Sequence, residues 1–261
     1  MTIEPLALVL AALTAIASGL VGSFALMRRM TLAGDALSHI ALPGIGLALL
    51  YSMNPVLGGA ITLLVGTLII WKVEKISSLN TDAVIGVLFA ISLAIGAIAF
   101  EEEHELVEAL FGGMQPIAGL EFAAGMFVGA LVIGFILRYR HALVLSLVSR
   151  ELAKTAAIPI DRLQLGFLIA FALTVILGMK FLGVLLMGSL IIVPAATARN
   201  IAGNLFGMLT VASASALIAV VSGLVWAASL GIQPGPMIIL IAGILFVLSL
   251  AVHALQTRRF S

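Results

Sequence analysis

The stretch PLALVLAALTAIASGLVGSFALM, residues 5–27, runs without a charge for the roughly 20 residues that a helix needs to cross about 30 Å of hydrocarbon. Runs of this kind recur along the whole chain, and that recurrence limits what the chain can fold into. Of its 261 residues 62% are hydrophobic and 10% charged, whereas an ordinary globular domain is about 25% charged. A soluble core cannot absorb so much apolar surface. Eight or nine spans use up most of the sequence and leave only short loops. The expectation is an all-α integral membrane protein, a polytopic bundle of eight or nine transmembrane helices, with residues 1–261 forming a single transmembrane domain.

The expected spans are 6–27, 32–52, 56–71, 82–100, 119–137, 163–178, 181–198, 204–229 and 236–255. The first is read as a retained span, because no basic region and small-residue cleavage site frame it. With the N-terminus outside, Arg28, Arg29, Lys72, Lys75, Arg138, Arg140, Arg150, Lys154, Arg162, Arg199, Arg258 and Arg259 fall on the cytoplasmic side. Only Lys180 falls outside, and a split of 12 against 1 among the 13 basic residues is a positive-inside signal. Eight spans remain open if 181–198 is a bent or partial crossing. Pro194 lies in that segment and cannot donate a backbone hydrogen bond to the carbonyl of Leu190, so a kink near position 190 is expected, either from packing or to line a pore. Gly125 and Gly129 form a small-xxx-small pair suited to close helix packing. No internal repeat supports an inverted-repeat carrier.

Two polar stretches interrupt the apolar pattern. EEEHELVEALFGGMQP, residues 101–116, is expected outside, either as a solvated acidic loop or as a docking or metal-gathering surface around His104 and five glutamates. RYRHALVLSLVSRELAKTAAIPIDR, residues 138–162, is expected inside. Within it Ser149 followed by Glu151 and good helix formers marks a helix start, and Pro159 a stop, so a short cytoplasmic helix over 149–158 is expected.

Ionisable groups inside a bilayer cost several kcal/mol and are functional candidates by default. Asp35 is the clearest of them. It lies in GDALSHIALPG, residues 34–44, and His39 follows four residues later, on the same helix face. A carboxylate with an imidazole suits zinc, manganese or ferrous iron, whereas copper(I) would want sulfur, and the chain has no Cys. Pro43 and Gly44, two turns on, can loosen the helix and free carbonyls beside a path. The structural alternative is that Asp35 caps the span and His39 bonds a neighbouring helix. No P-loop and no His-Glu-x-x-His motif occurs, and Ser38 and Ser189 have no triad partners. The chain is therefore not expected to be an enzyme, and any ATP hydrolysis belongs to another chain.

Three segments carry a family resemblance: RRMTLAGDALSHIALPGIGLA (28–48), GVLLMGSLIIVPAATAR (183–199) and SGLVWAASLGIQPGPMIILIAGILFVLS (222–249). Together they resemble the signatures of the zinc, manganese and iron uptake permeases of the ABC importer class, in the right order and over nearly the full length. The resemblance implies a permease in a bacterial or archaeal cytoplasmic membrane, working as a homodimer or a pair of related permeases. It also implies a cytoplasmic ATPase and an extracytoplasmic metal-binding protein as partners, with no permanently bound cofactor and no nucleic acid. Asp35 and His39 are then expected to line the metal path, with Pro43, Gly44 and Pro194 as helix breaks along it. The helix at 149–158 corresponds to the family's coupling helix, giving Ser149, Arg150, Glu151, Leu152, Ala156 and Ala157 an ATPase-docking role. Where such loops commonly carry Gly, this chain has Ala157. A self-contained ion-coupled carrier or channel is the alternative; it would need more buried titratable groups than Asp35 and His39. The ligand types do not order zinc, manganese and iron.

Overall fold

The computed structural model describes residues 4–30, 33–77, 79, 81–99, 110 and 119–257. The acidic stretch 101–116 thus lies outside the described residues except for Leu110. Helices α1 (Pro5–Met27), α2 (Ala33–His39), α3 (Leu42–Leu50), α4 (Pro55–Ile76) and α5 (Thr81–Ala99) form the first half. The second half holds α6 (Gly119–Val148), the short α7 (Arg150–Thr155), α8 (Ile160–Ile201), α9 (Leu205–Leu230) and α10 (Pro234–Thr257). No strand occurs among the described residues. Nine segments of them are long and apolar enough to cross a membrane, with α2 and α3 together making one and α8 contributing two.

Local chemistry sets the helix ends. Pro5 and Pro55 occupy the first turn of α1 and α4, where a missing N–H is no loss. Asn54 caps α4 by accepting from the N–H of Val56 at 2.9 Å, and Asn204 caps α9 by accepting from Gly207 at 2.7 Å. Four helix ends close through a left-handed residue followed by a backbone bond reaching five residues back: Arg29, Ser52, Ala157 and Gly231, with Met30, Met53, Ile158 and Ile232 as the donors. Three of these four positions are not glycine, which makes them hard to find by composition.

The core is built on α1, α8 and α9. Phe24 of α1 and Phe167 and Phe171 of α8 are fully buried, in one cluster with Ala216 and Ala219 of α9. Leucines of α1 lie over the small-residue pair of α6, Leu10 on Gly125 and Leu13 on Gly129, as expected. The outer helices expose apolar side chains, among them Val87 and Ile91 of α5 and Leu240, Ile244 and Val247 of α10. Such a surface suits lipid and not water. Helix α6 has 30 residues and is about 45 Å long, so residues 138–148 extend the helix and are not a connecting loop.

The break in α8 lies at Gly183, whose φ of 72° and ψ of 174° are closed to residues bearing a Cβ. The Met187 side chain covers Gly178, a position that a straight helix would hold about 13 Å away. The chain therefore reverses, and Ile160–Lys180 and Leu182–Ile201 form two limbs, each of span length. No break accompanies the kink expected near position 190. Helical angles continue past Leu190 and Pro194, because proline's own φ is already helical and its lost hydrogen bond bends a helix without requiring a break. Beside the reversal, Lys180 Nζ meets both carboxylate oxygens of Glu121, at 2.7 and 2.8 Å. At the other end of the bundle, the basic end, the termini of α1, α4, α5, α6 and α8 surround a cavity of about 970 Å³ lined by Arg28, Arg29, Glu74, Lys75, Asp161 and Gln164 among others.

Candidate metal site

Asp35 is the third residue of α2 and His39 the last, so one helical turn carries both. The closest approach of carboxylate to imidazole is 4.0 Å, from Asp35 Oδ1 to His39 Nδ1. Their surroundings differ sharply: the Asp35 side chain is 59% exposed and that of His39 only 8%. Among the described residues the Asp35 carboxylate accepts no backbone hydrogen bond, so it does not cap α2.

The geometry settles which nitrogen of His39 carries the proton. Nδ1 lies 2.8 Å from the backbone carbonyl oxygen of Asp35. A carbonyl only accepts, so Nδ1 must donate, and in the neutral ring Nε2 is left with its lone pair. In this tautomer Nε2 can bind a metal while the other ring N–H is held by a carbonyl. Nε2 has no hydrogen-bond partner among the described residues. Phe89 of α5 meets the imidazole edge-on, with ring centroids 5.1 Å apart and planes at 86°, and restrains the ring.

Behind the pair, the backbone of α8 packs directly on that of α2. A Cβ on Gly188 would stand 2.5 Å from the Asp35 nitrogen and 2.6 Å from its Cα, so only glycine fits beneath Asp35. Helix α2 ends in tight i to i−3 bonds, from Ile40 to Leu37 and from Ala41 to Ser38, and α3 starts at Leu42. The break therefore falls at Ile40 and Ala41, just before the expected position. Pro43 sits in the first turn of α3, where its missing donor is harmless, and Gly44 lies inside α3. Gly44 and Gly58 of α4 pack backbone to backbone. Thr62 Oγ1 lies 3.4 Å from the carbonyl of Ala41 and nearer to the carbonyls of Gly58 and Gly59. Pro194 is not brought to the pair. It is buried against α9, where Ser215 Oγ lies 3.5 Å from its carbonyl, and α8 touches Asp35 at Gly188 instead.

One chain thus presents one carboxylate and one imidazole nitrogen. Among the described residues no third His, Cys, Asp or Glu completes a metal-binding group. Two ligands are too few for a stable four-coordinate site, but they suit a transient stop.

The segment after α6 folds as its sequence indicates at the start and differently at the end. Ser149 Oγ accepts from the Leu152 N–H at 3.2 Å and caps α7. Arg150 opens the helix, Glu151 lies in its first turn, Leu152 is 56% exposed and Ala153 is buried. The helix stops at Thr155, not at Ile158: Ala156 is the C-cap and Ala157 turns left-handed at a φ of 55°. Ala157 therefore takes the backbone shape that glycine would favour. Sequence reasoning did not find Phe89, Thr62 or Gly188, nor the polar cluster at the basic end. Each acts across more than 20 positions of chain, and no local spacing marks it.

A family model described as "ABC 3 transport family" matches residues 3–253. The high-affinity zinc uptake system membrane protein ZnuB of Haemophilus influenzae is 30% identical over 237 residues, covering 88% of this chain and 89% of its own. The manganese transport system membrane protein MntC of Halalkalibacterium halodurans is 28% identical over 247 residues, covering 93% and 85%. Among solved structures, PsaBC from Streptococcus pneumoniae in complex with Fab superposes with a TM-score of 0.79 at 28% identity, covering 93% of this chain and 88% of that one.

Proposed function

The chain belongs to the ABC 3 transport family, and from that premise we propose that it is the membrane permease subunit of an ATP-binding-cassette importer carrying a divalent transition metal ion (manganese, zinc or iron) into the cytoplasm. The observation that carries this reading is His39, held by the Asp35 carbonyl with Nε2 left to bind, one turn from an exposed carboxylate. The zinc and manganese relatives support the cargo class.

In this reading the partner is a second permease, either a copy of this chain or a relative, facing it across a twofold axis. Two Asp35 carboxylates then offset the charge of the dication, and two neutral imidazoles replace water without adding charge. Four ligands from two chains form a stop that a closed site inside one chain could not. The exposure of Asp35 on the single chain fits a group awaiting its counterpart. Binding there must be weak enough to release the ion onward. Helix α7 docks on a cytoplasmic ATPase through Leu152 and Glu151, and an extracytoplasmic metal-binding protein delivers the ion from the other side. The whole chain acts as one transmembrane domain in a bacterial or archaeal cytoplasmic membrane, with the basic end inward.

Metal uptake by cells carrying Asp35→Asn or His39→Ala tests this. Each variant is expected to lose most uptake while still inserting and holding its ATPase. Uptake at the unmodified rate in Asp35→Asn would defeat the assignment, since Asn caps helices about as well as Asp and only a ligand role needs the charge.

A further inference from the structure

We propose that Glu74 is a positioning residue that couples the ATPase-docking helix α7 to His39, an inference resting on the reading of the chain as an ATP-driven permease. Helix α7 joins α8 through a stiff turn, because the Ile158 N–H bonds back to the Ala153 carbonyl and Pro159 stands at the start of α8. The first turns of α8 carry Asp161 and Gln164, and both reach α4. Trp71 Nε1 donates to the Asp161 carbonyl at 3.2 Å, Lys75 Nζ pairs with Asp161 Oδ2 at 2.7 Å, and Gln164 Nε2 donates to Glu74 Oε1 at 2.6 Å.

These contacts are not equal. The Lys75–Asp161 pair is half exposed, at 41% and 67%, and exposed ion pairs contribute little. Glu74 is partly buried, and the same Oε1 that accepts from Gln164 also accepts from Thr81 Oγ1 at 2.9 Å. One oxygen thus ties α4 and α8 to the first residue of α5. Phe89 lies eight residues along α5, about 12 Å from Thr81, and its ring meets His39. A displacement of α7 therefore has a continuous course: the start of α8, Gln164, Glu74, Thr81, the rigid rod of α5, Phe89 and the imidazole. The other Glu74 oxygen, Oε2, is buried with no hydrogen-bond partner among the described residues. It can take a new donor when the elements move, and the adjoining cavity leaves room for that movement.

The same geometry shows what must be kept. Coupling here is a shared hydrogen-bond acceptor, so Glu74→Gln, which keeps a carbonyl oxygen able to accept from both donors, should preserve it. Glu74→Leu and Gln164→Leu should not. The test uses the chain purified with its permease partner and ATPase in proteoliposomes, with the extracytoplasmic metal-binding protein supplied and manganese(II) and zinc(II) as cargo, and measures metal moved per ATP hydrolysed alongside thermal unfolding. Both leucine variants are expected to keep hydrolysing ATP while metal per ATP falls about fivefold or more. Glu74→Gln is expected to stay near the unmodified ratio, and the double leucine variant to be no worse than Glu74→Leu alone. A purely structural role would lower the unfolding temperature and leave the ratio unchanged; that result overturns the proposal, as does a Glu74→Gln ratio falling as far as that of Glu74→Leu. If Glu74→Leu does not fold, Gln164→Leu decides by the same ratio. An unmodified complex without ATP-driven uptake would overturn the permease reading and this proposal with it, whereas a transporting complex whose leucine variants keep their ratio overturns this proposal alone.

Discussion

Gly188→Ala is the smallest change that should disable the proposed metal site without touching Asp35 or His39. A methyl group there would stand 2.5 Å from the Asp35 nitrogen and 2.6 Å from the Gly34 carbonyl carbon and the Asp35 Cα. Ordinary contact begins at 3.4 Å, so the backbones must part by about 0.9 Å. All three atoms in conflict are main chain, and no rotamer change relieves them. Overpacking of this kind costs about 1–3 kcal/mol, and because Asp35 and His39 share one turn of α2, both move with it. A functional constellation tolerates only about 0.5 Å of displacement. With two copies of the chain, the error enters twice. Gly34→Ala supplies the control, since a methyl there would lie 3.2 Å from the Gly188 carbonyl oxygen and asks for only a few tenths of an ångström. In vesicles with matched protein content, Gly188→Ala is expected to cut initial metal uptake by roughly tenfold or more and Gly34→Ala by much less. Equal uptake in the two variants would refute the claim that the α2 and α8 backbone contact sets the ligand position.

Three further expectations concern α7, the turn after it and the orientation of the chain. Ala157→Gly should relieve a left-handed alanine and stabilise the turn after α7 by about 1 kcal/mol, read as a roughly fivefold slower amide exchange at Ile158, while Thr155→Gly in the helical last turn should do the opposite; faster exchange in Ala157→Gly would contradict the assigned backbone. Ala157→Pro should abolish transport because proline cannot reach a φ of 55°, a different reason from helix breaking, since Ala157 lies beyond the helix end. Because the chain has no Cys, Lys154→Cys gives a single label site, expected to react with an impermeant reagent only after the membrane is opened; labelling in intact cells would invert the topology.

What the sequence discloses and what it hides divide along physical lines. Apolar length is a local property, and it placed most span ends within a few residues: α1 was expected at 6–27 and is 5–27, and α9 was expected at 204–229 and is 205–230, whereas α6 runs eleven residues past its expected end. The i, i+4 geometry of Asp35 and His39 is equally local. Helix ends closed by Arg29, Ser52 and Ala157 are not legible, because each adopts a left-handed backbone under the demand of its carbonyls and not by its own preference. The break at Gly183 stayed hidden for the complementary reason: proline announces itself in a sequence, whereas one glycine among 26 does not. The floor under Asp35 and the Glu74 junction depend on which helices meet, and that information is spread over residues far apart in the chain.

The reversal at Gly183 also constrains how this chain can be made. Two limbs of 21 and 20 residues joined by so short a turn have no loop that could be carried across separately, so they must enter the bilayer side by side, tip first. The tip carries Lys180. Its ammonium has to be brought to the far side of the bilayer, and a charge left at mid-membrane costs several kcal/mol. Glu121 has by then already been synthesised, 59 positions earlier, and its carboxylate stands where the tip arrives. Part-buried in the finished molecule, with Lys180 only 16% exposed, the ion pair is then expected to act as a landing point, and losing it should slow insertion more than it weakens the folded protein.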